Sequence, residues 1–218
     1  MKFLPPRVYP ITDTVISGIS HAMQTRLLVA GGARIVQLRE KYSSPHSFYE
    51  SALECVKIAR NEGVKILIND RVDIALAVGA DGVHLGQDDL PPEKAREILG
   101  EAAIIGFSTH SVGEAIEAMS MPIDYIAIGP IFPTHSKEKP GGVVGLEGLG
   151  DVRAAIGDFP LVAIGGIDAN NMPSVFQAGA DSAAMIGAIL SDPNLIEEWM
   201  RQLHDSSVRS LWLIETEP

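Results

Sequence analysis

Short apolar, β-branched runs punctuate this chain, and most are followed by a stretch whose apolar side chains recur at helical spacing. The runs fall at 8–12, 35–40, 65–70, 82–87, 103–108, 125–130, 161–166 and 182–188, which predicts eight strands. After the second run, Phe48, Ala52, Cys55, Val56 and Ala59 share one helical face, and near the end Leu195, Trp199, Met200 and Leu203 do the same. Start signals agree with helices there: "SSP" ahead of Phe48, "DLPPEKAREILG" with proline near the first turn and Gly100 at its end, and "DP" at Asp192-Pro193. The Gly/Ala pairs in "GGARI", "VGADGV" and "AGADSA" read as helix ends ahead of the next strand. Strands that are apolar throughout, each followed by a helix, predict a parallel sheet covered by helices. Eight such units close on themselves, so the expected fold is an α/β (β/α)8 TIM barrel, one domain over 1–218 with a peripheral tail from about 205. A doubly wound open sheet would carry a glycine fingerprint after its first strand, and "PITDTVISG" has none.

Composition narrows the function classes. With 46% hydrophobic and 21% charged residues, the 218-residue chain can bury one sizeable core. Its net charge of -11, without any Lys/Arg block, argues against nucleic acid as a partner, because phosphate backbones are gripped by basic surfaces. No run approaches the ~18 apolar residues of a membrane span, and "MKFLPPRVYPITD" holds no signal-length apolar stretch. The lone Cys55 has no internal disulfide partner. A cytoplasmic, soluble protein acting on small molecules is expected, with homo-oligomerisation left open.

In a barrel the chemistry gathers at the C-terminal ends of the strands. Strand two ends "VQLREK", and its alternation sends Gln37, Arg39 and Lys41 to one side, opposite Val36 and Leu38. Arg39 and Lys41 then reach the barrel mouth, either to hold an anionic ligand or in an ion pair with Glu40 or acids of neighbouring strands. Strand three ends in Asn69-Asp70, and strand four runs into Asp88-Asp89. Adjacent strand ends lie ~5 Å apart, so a carboxylate from each can share one divalent cation, a habit of Mg²⁺ together with substrate phosphates. The competing role for Asp70 is a helix cap, and one of Asp88 and Asp89 is expected to cap the helix beginning at Pro91 or Pro92. His84 reads as a hydrogen-bonded core residue, since the six histidines show no metal-ligand spacing. Ser108 offers a hydroxyl without a nucleophile elbow, and Thr109 to Ser111 are expected to open a helix. The loop "GPIFPTHSKEKPGGVVGLEGL" brings Thr134, Ser136 and Lys137 close in sequence, among glycines that let amides approach an anion; a plain loop is the alternative. "AIGGI" and "MIGAI" put glycines at strands seven and eight, where barrels commonly hold phosphate.

The stretches "ITD", "VQLREK", "ILINDRVDIALAVGADGVHLGQDD", "IGFSTHS", "DYIAIGPIFPTHSK" and "VAIGGI" occur in order and together resemble the thiamine phosphate synthase family, up to about Leu203. The resemblance implies a (β/α)8 barrel that joins hydroxymethylpyrimidine diphosphate to hydroxyethylthiazole phosphate, giving thiamine monophosphate and pyrophosphate with Mg²⁺. By motif it assigns Gln37, Leu38, Arg39, Glu40, Lys41, Asn69, Ser108 and Lys137 to the pyrimidine diphosphate, with Arg39, Lys41 and Lys137 catalytic. Asp70 and Asp89 would hold the metal. Thr134, His135, Ser136, Gly166, Ile186 and Gly187 would meet the thiazole phosphate. Ser136 stands where threonine is common and Gly187 where serine usually adds a hydroxyl. Two alternatives stand beside the synthase. One is the metal-free thiazole tautomerase branch, which has less use for the acid pair; the other is a non-catalytic phosphate-binding barrel.

Overall fold

The computed structural model describes residues 3–134 and 142–214, with side chains to 206. Its eight strands are β1 (Val8–Thr12), β2 (Ile35–Leu38), β3 (Lys65–Asn69), β4 (Gly82–Leu85), β5 (Ile104–Thr109), β6 (Tyr125–Ile128), β7 (Leu161–Ile164) and β8 (Ser182–Met185). All neighbours pair in parallel, and β8 returns to β1, so the barrel is closed in chain order. The helices are α1 (Thr14–Ser17), α2 (His21–Ala30), α3 (Pro45–Asn61), α4 (Val72–Val78), α5 (Pro92–Leu99), α6 (Val112–Ala118), α7 (Gly145–Ile156), α8 (Met172–Gln177), α9 (Gly187–Leu190) and α10 (Ile196–Ile214).

The alternation read in strand two holds. Val36 and Leu38 are fully buried against the helices, whereas Gln37 turns into the barrel and hydrogen-bonds the Tyr9 hydroxyl. Strands β2, β4, β6, β7 and β8 end two or three residues earlier than expected; just past β2 and β4 side chains take the next amides, Thr12 Oγ1 accepting from Arg39 and Asp89 Oδ2 from Gly86. The helix after β5 begins at Val112, with Ser111 as its cap, so Thr109 belongs to the strand rather than to the helix. Ser44 and Pro45 start α3 as expected, with the Ser44 hydroxyl accepting from the Ser47 amide. Asp192 caps only a turn, through the Asn194 amide, and α10 starts at Ile196.

The floor of the barrel, at the N-terminal ends of the strands, is knit by a repeated device. Asp81, Asp124 and Asp181, each just ahead of an even-numbered strand, accept the backbone N–H of Ile66, Ile105 and Leu161 at 2.8–2.9 Å. Each also meets a cation, Lys65, Arg96 and Arg153 respectively. These carboxylates hold strand starts in register.

Candidate active site

At the other end of the barrel the chain lets carboxylates and cations converge. Asp70 follows β3 with φ 63°, a left-handed conformation that aspartate tolerates better than most residues. Its N–H donates to the His84 carbonyl at 2.8 Å, carrying the β3–β4 pairing one residue past the strand before the chain turns. The helix-cap role is excluded for it: α4 has Arg71 at its cap position and no side-chain cap bond. The expected cap on α5 is likewise corrected. Pro91 occupies that position without a side-chain bond, and Asp89 Oδ2 instead accepts from the Gly86 amide at 2.7 Å.

Asp70 and Asp89 therefore face one another across the mouth. Burial pushes the Asp89 carboxyl above the usual carboxylate range; the Gly86 amide pulls the other way, and the neighbouring Asp70 charge adds to the rise. Lys41 Nζ sits 2.5 Å from Asp70 Oδ2. Arg39 is gripped by Asp13, whose other oxygen caps α1 through the Val15 and Ile16 amides. The ion pair weighed for Arg39 therefore exists, and of the two partners considered it is an acid of the neighbouring strand, Asp13 just past β1, rather than Glu40. Sequence reasoning gave Asp13 no role, although its alternation with Ile11 at the end of β1 was the available signal. Glu40 turns away to His21, at 3.3 Å, and to the Tyr42 and Ser43 amides. Burial works to raise its carboxyl, yet those amides and His21 bring it below the usual value. Burial lowers the His21 imidazole, with Glu40 and Asp13 opposing.

Arg39, Lys41, Asn69, Asp70, Asp89 and Ser108 all line one polar chamber of about 560 Å³. Leu38 and Glu40 do not line it. A second chamber of about 270 Å³ lies over β6, β7 and β8, and Thr134, Gly166, Ile186 and Gly187 are among its walls. It is a backbone-built space. Gly165 (φ 105°) and Gly166 (φ 64°) curl beneath the loop after β6; a Cβ on Gly166 would stand 2.6 Å from the Pro133 carbonyl oxygen. Asn171 braces that turn by donating to the Gly166 carbonyl at 2.9 Å. The opening of α9 at Gly187 adds amides without intrahelical partners. His135, Ser136 and Lys137 lie outside the described residues.

The two chambers meet at a throat of about 50 Å³ inside the barrel, which shares Arg39, Asn69 and Ser108 with the first and Ile164 and Ile186 with the second. Its floor is a chain of hydrogen bonds that the sequence did not disclose. Gln37 Nε2 meets Tyr9 Oη at 3.0 Å, Tyr9 Oη meets Tyr125 Oη at 2.9 Å, Tyr125 Oη meets His84 Nδ1 at 2.9 Å, and His84 Nε2 meets Ser108 Oγ at 2.9 Å. The expectation of a hydrogen-bonded His84 is met, with its ring stacked on Tyr125 at 5.5 Å. Tyr125 reaches this place only because its register partner is Gly106, where any Cβ would fall 2.0 Å from the ring.

A closed parallel barrel whose strand C-termini carry a charged chamber and a glycine-lined chamber in communication is of the kind that gathers anionic small molecules at its mouth. Comparison with known proteins narrows the class. The family model for thiamine monophosphate synthase matches residues 8–189. A thiamine-phosphate synthase of Chloroflexus aurantiacus is 43% identical over 85% of both chains. One of Syntrophomonas wolfei is 44% identical over 94% of this chain and 95% of its own. The solved structure of thiamine phosphate pyrophosphorylase from Pyrococcus furiosus superposes with a TM-score of 0.85 at 35% identity, covering 94% of this chain and 96% of the other. This chain belongs to the thiamine monophosphate synthase family.

Proposed function

We propose that the protein is a cytoplasmic transferase that joins hydroxymethylpyrimidine diphosphate to hydroxyethylthiazole phosphate, releasing thiamine monophosphate and pyrophosphate. The observation that carries this reading is the pair of unlike chambers opening into one throat. One offers charged side chains for a diphosphate and the other backbone amides for a monophosphate, so two phosphorylated reactants can bring their rings together between them. Membership of the family supports it. Among the described residues no helix is long and apolar enough to cross a membrane.

Asp70 and Asp89 fit a divalent ion by their own chemistry. Two carboxylates crowd together, one of them pushed towards protonation by burial and by the other's charge, and a hard cation relieves both effects. No cluster of three or more His, Cys, Asp or Glu ligands occurs among the described residues, which suits Mg²⁺ completing its shell with water and phosphate. When bound, the ion supplies Lewis acidity towards the departing diphosphate.

The protein's own groups do the rest by charge placement. Arg39, fixed by Asp13, presents a guanidinium at the throat, where the bond between the pyrimidine methylene carbon and the diphosphate oxygen breaks and the electron pair leaves with the oxygen. Lys41 exchanges Asp70 for the diphosphate, and Lys137 is assigned to the same anion by the family motif. Asn69 and Ser108 donate to the diphosphate from the throat side. Gly166, Gly187, Thr134, His135 and Ser136 hold the thiazole phosphate, so that the ring nitrogen lone pair faces the methylene carbon and forms the new C–N bond. No protein nucleophile is needed. The thiazole tautomerase alternative leaves the acid pair without a task.

Purified protein mixed with both reactants should form thiamine phosphate and pyrophosphate, and only with Mg²⁺ present. Isomerisation of a thiazole phosphate alone, or binding without turnover, would remove this assignment.

A further inference from the structure

The five-membered chain on the throat floor has a direction, and the direction follows from what each group can donate. Gln37 turns its amide nitrogen, which only donates, towards Tyr9, and with the amide in that orientation Tyr9 Oη accepts from it. Tyr9 is 1% exposed and its hydroxyl touches one other partner, Tyr125, so its hydrogen must go there. Were Tyr125 to donate to Tyr9 instead, the Tyr9 hydrogen would be buried with nothing to meet, an arrangement native interiors avoid. Tyr125, having accepted from Tyr9, donates to His84 Nδ1. A neutral imidazole that accepts at Nδ1 carries its hydrogen on Nε2, which donates to Ser108 Oγ. Ser108 has thereby filled one acceptor position and keeps its own hydrogen, on the wall shared by the throat and the charged chamber.

We propose that Tyr9, Tyr125 and His84 are positioning residues: a one-way hydrogen-bond relay from Gln37 that holds His84 as the Nε2–H tautomer and so commits the Ser108 hydroxyl to donate to the anionic reactant. The inference rests on the function proposed above for its ligand, but the tautomer itself does not depend on turnover. Burial keeps the two phenols neutral, since it pushes Tyr9 up to about 12 and Tyr125 well above the usual phenol value, so both keep their protons. Gln37 makes no other side-chain hydrogen bond among the described residues, and it lines the throat. Its carbonyl oxygen is therefore free to accept from a ligand donor there, which would lock the amide in the orientation that sets the relay's direction.

Gln37→Glu reverses the starting point. A carboxylate only accepts, so Tyr9 would donate to it, Tyr125 to Tyr9 and His84 Nδ1–H to Tyr125, and Ser108 would spend its hydrogen on Nε2. Long-range nitrogen–proton NMR of the labelled full chain, with His84 assigned by its loss in His84→Gln, reads this directly. The expected result is Nε2–H in the parent and Nδ1–H in Gln37→Glu. An Nδ1–H signal in the parent, or one tautomer in both proteins, overturns the proposal. A kinetic cycle supplies the second readout. Tyr9→Phe is expected to raise KM for the diphosphate reactant about tenfold with little change in kcat, and to add almost nothing in a Ser108→Ala background. Independent, additive effects of the two substitutions would show that Tyr9 acts only through packing and would defeat the relay. If the parent makes no thiamine phosphate, the functional reading fails while the NMR result still decides the tautomer.

Discussion

Aspartates at the two ends of the barrel live under opposite conditions. Asp81, Asp124 and Asp181 on the floor each bond a strand amide and a cation, so each negative charge is answered twice. At the mouth, Asp89 has one amide and faces Asp70, which adds to the rise that burial imposes on it. The same side chain serves register where its partners are complete, and at the mouth, where they are not, it sits with its carboxyl raised. In barrels generally the floor is where stability resides and the mouth where chemistry resides. Here that division is visible in the partners of one residue type.

The contrast can be broken from either end. The largest effect is expected from Asp89→Ala: a fall in kcat/KM of about a thousandfold or more, roughly 4 kcal/mol of transition-state stabilisation, with the fold intact by circular dichroism. Near-parental turnover would take Asp89 out of the proposed metal site. Asp124→Ala should do the reverse. By stranding the Ile105 amide and taking from Arg96 its carboxylate partner, while its bonds to backbone carbonyls remain, it should cost about 1–3 kcal/mol in denaturant unfolding while the remaining folded protein keeps its kcat; a loss of kcat without a loss of stability would erase the distinction.

A third substitution probes the backbone-built chamber. Gly166→Ala forces a Cβ against the Pro133 carbonyl at a left-handed φ and should raise KM for the thiazole phosphate by about tenfold or more, leaving the diphosphate KM near the parental value. Equal effects on both reactants would mean that the chambers are not separate. The smallest effect concerns the mouth carboxylate itself. A carboxyl whose folded pKa is raised favours the native state only below its unfolded value of about 3.9 and weighs against it as pH climbs through the raised value. Asp89→Asn should therefore raise Tm at pH 7 in metal-free buffer, with the gain shrinking as pH falls into the carboxylate range. A gain that persists at low pH would refute the charge of a buried carboxylate beside Asp70 as its source.

How much of this was legible in the sequence follows from how local each signal is. Strands such as Lys65–Asn69 are apolar nearly throughout, and the cap at Ser44-Pro45 is decided within four residues, so the barrel could be read from the chain. Arg39, Lys41, Asn69, Asp70, Asp89 and Ser108 could be placed at one mouth because strand order fixes which ends are neighbours. Details that depend on distant partners were not legible. Arg39 chose Asp13, 26 residues away, over the adjacent Glu40. Tyr9 meets Tyr125 across 116 residues, and nothing near Gly106 announces that its missing side chain makes room for that ring. Asp89 turned back to Gly86 instead of forward to α5, whose cap position is taken two residues later by Pro91.

The narrowness of the throat carries a consequence for inhibition and release. A molecule long enough to thread it is moored at both ends, and it departs only when both moorings slip together. A synthetic linker joining a mimic of each reactant should therefore outlast either fragment on the protein. In the proposed reaction, breaking the carbon–oxygen bond itself cuts one mooring, so the finished vitamin precursor would stay tied by phosphate only on the glycine side.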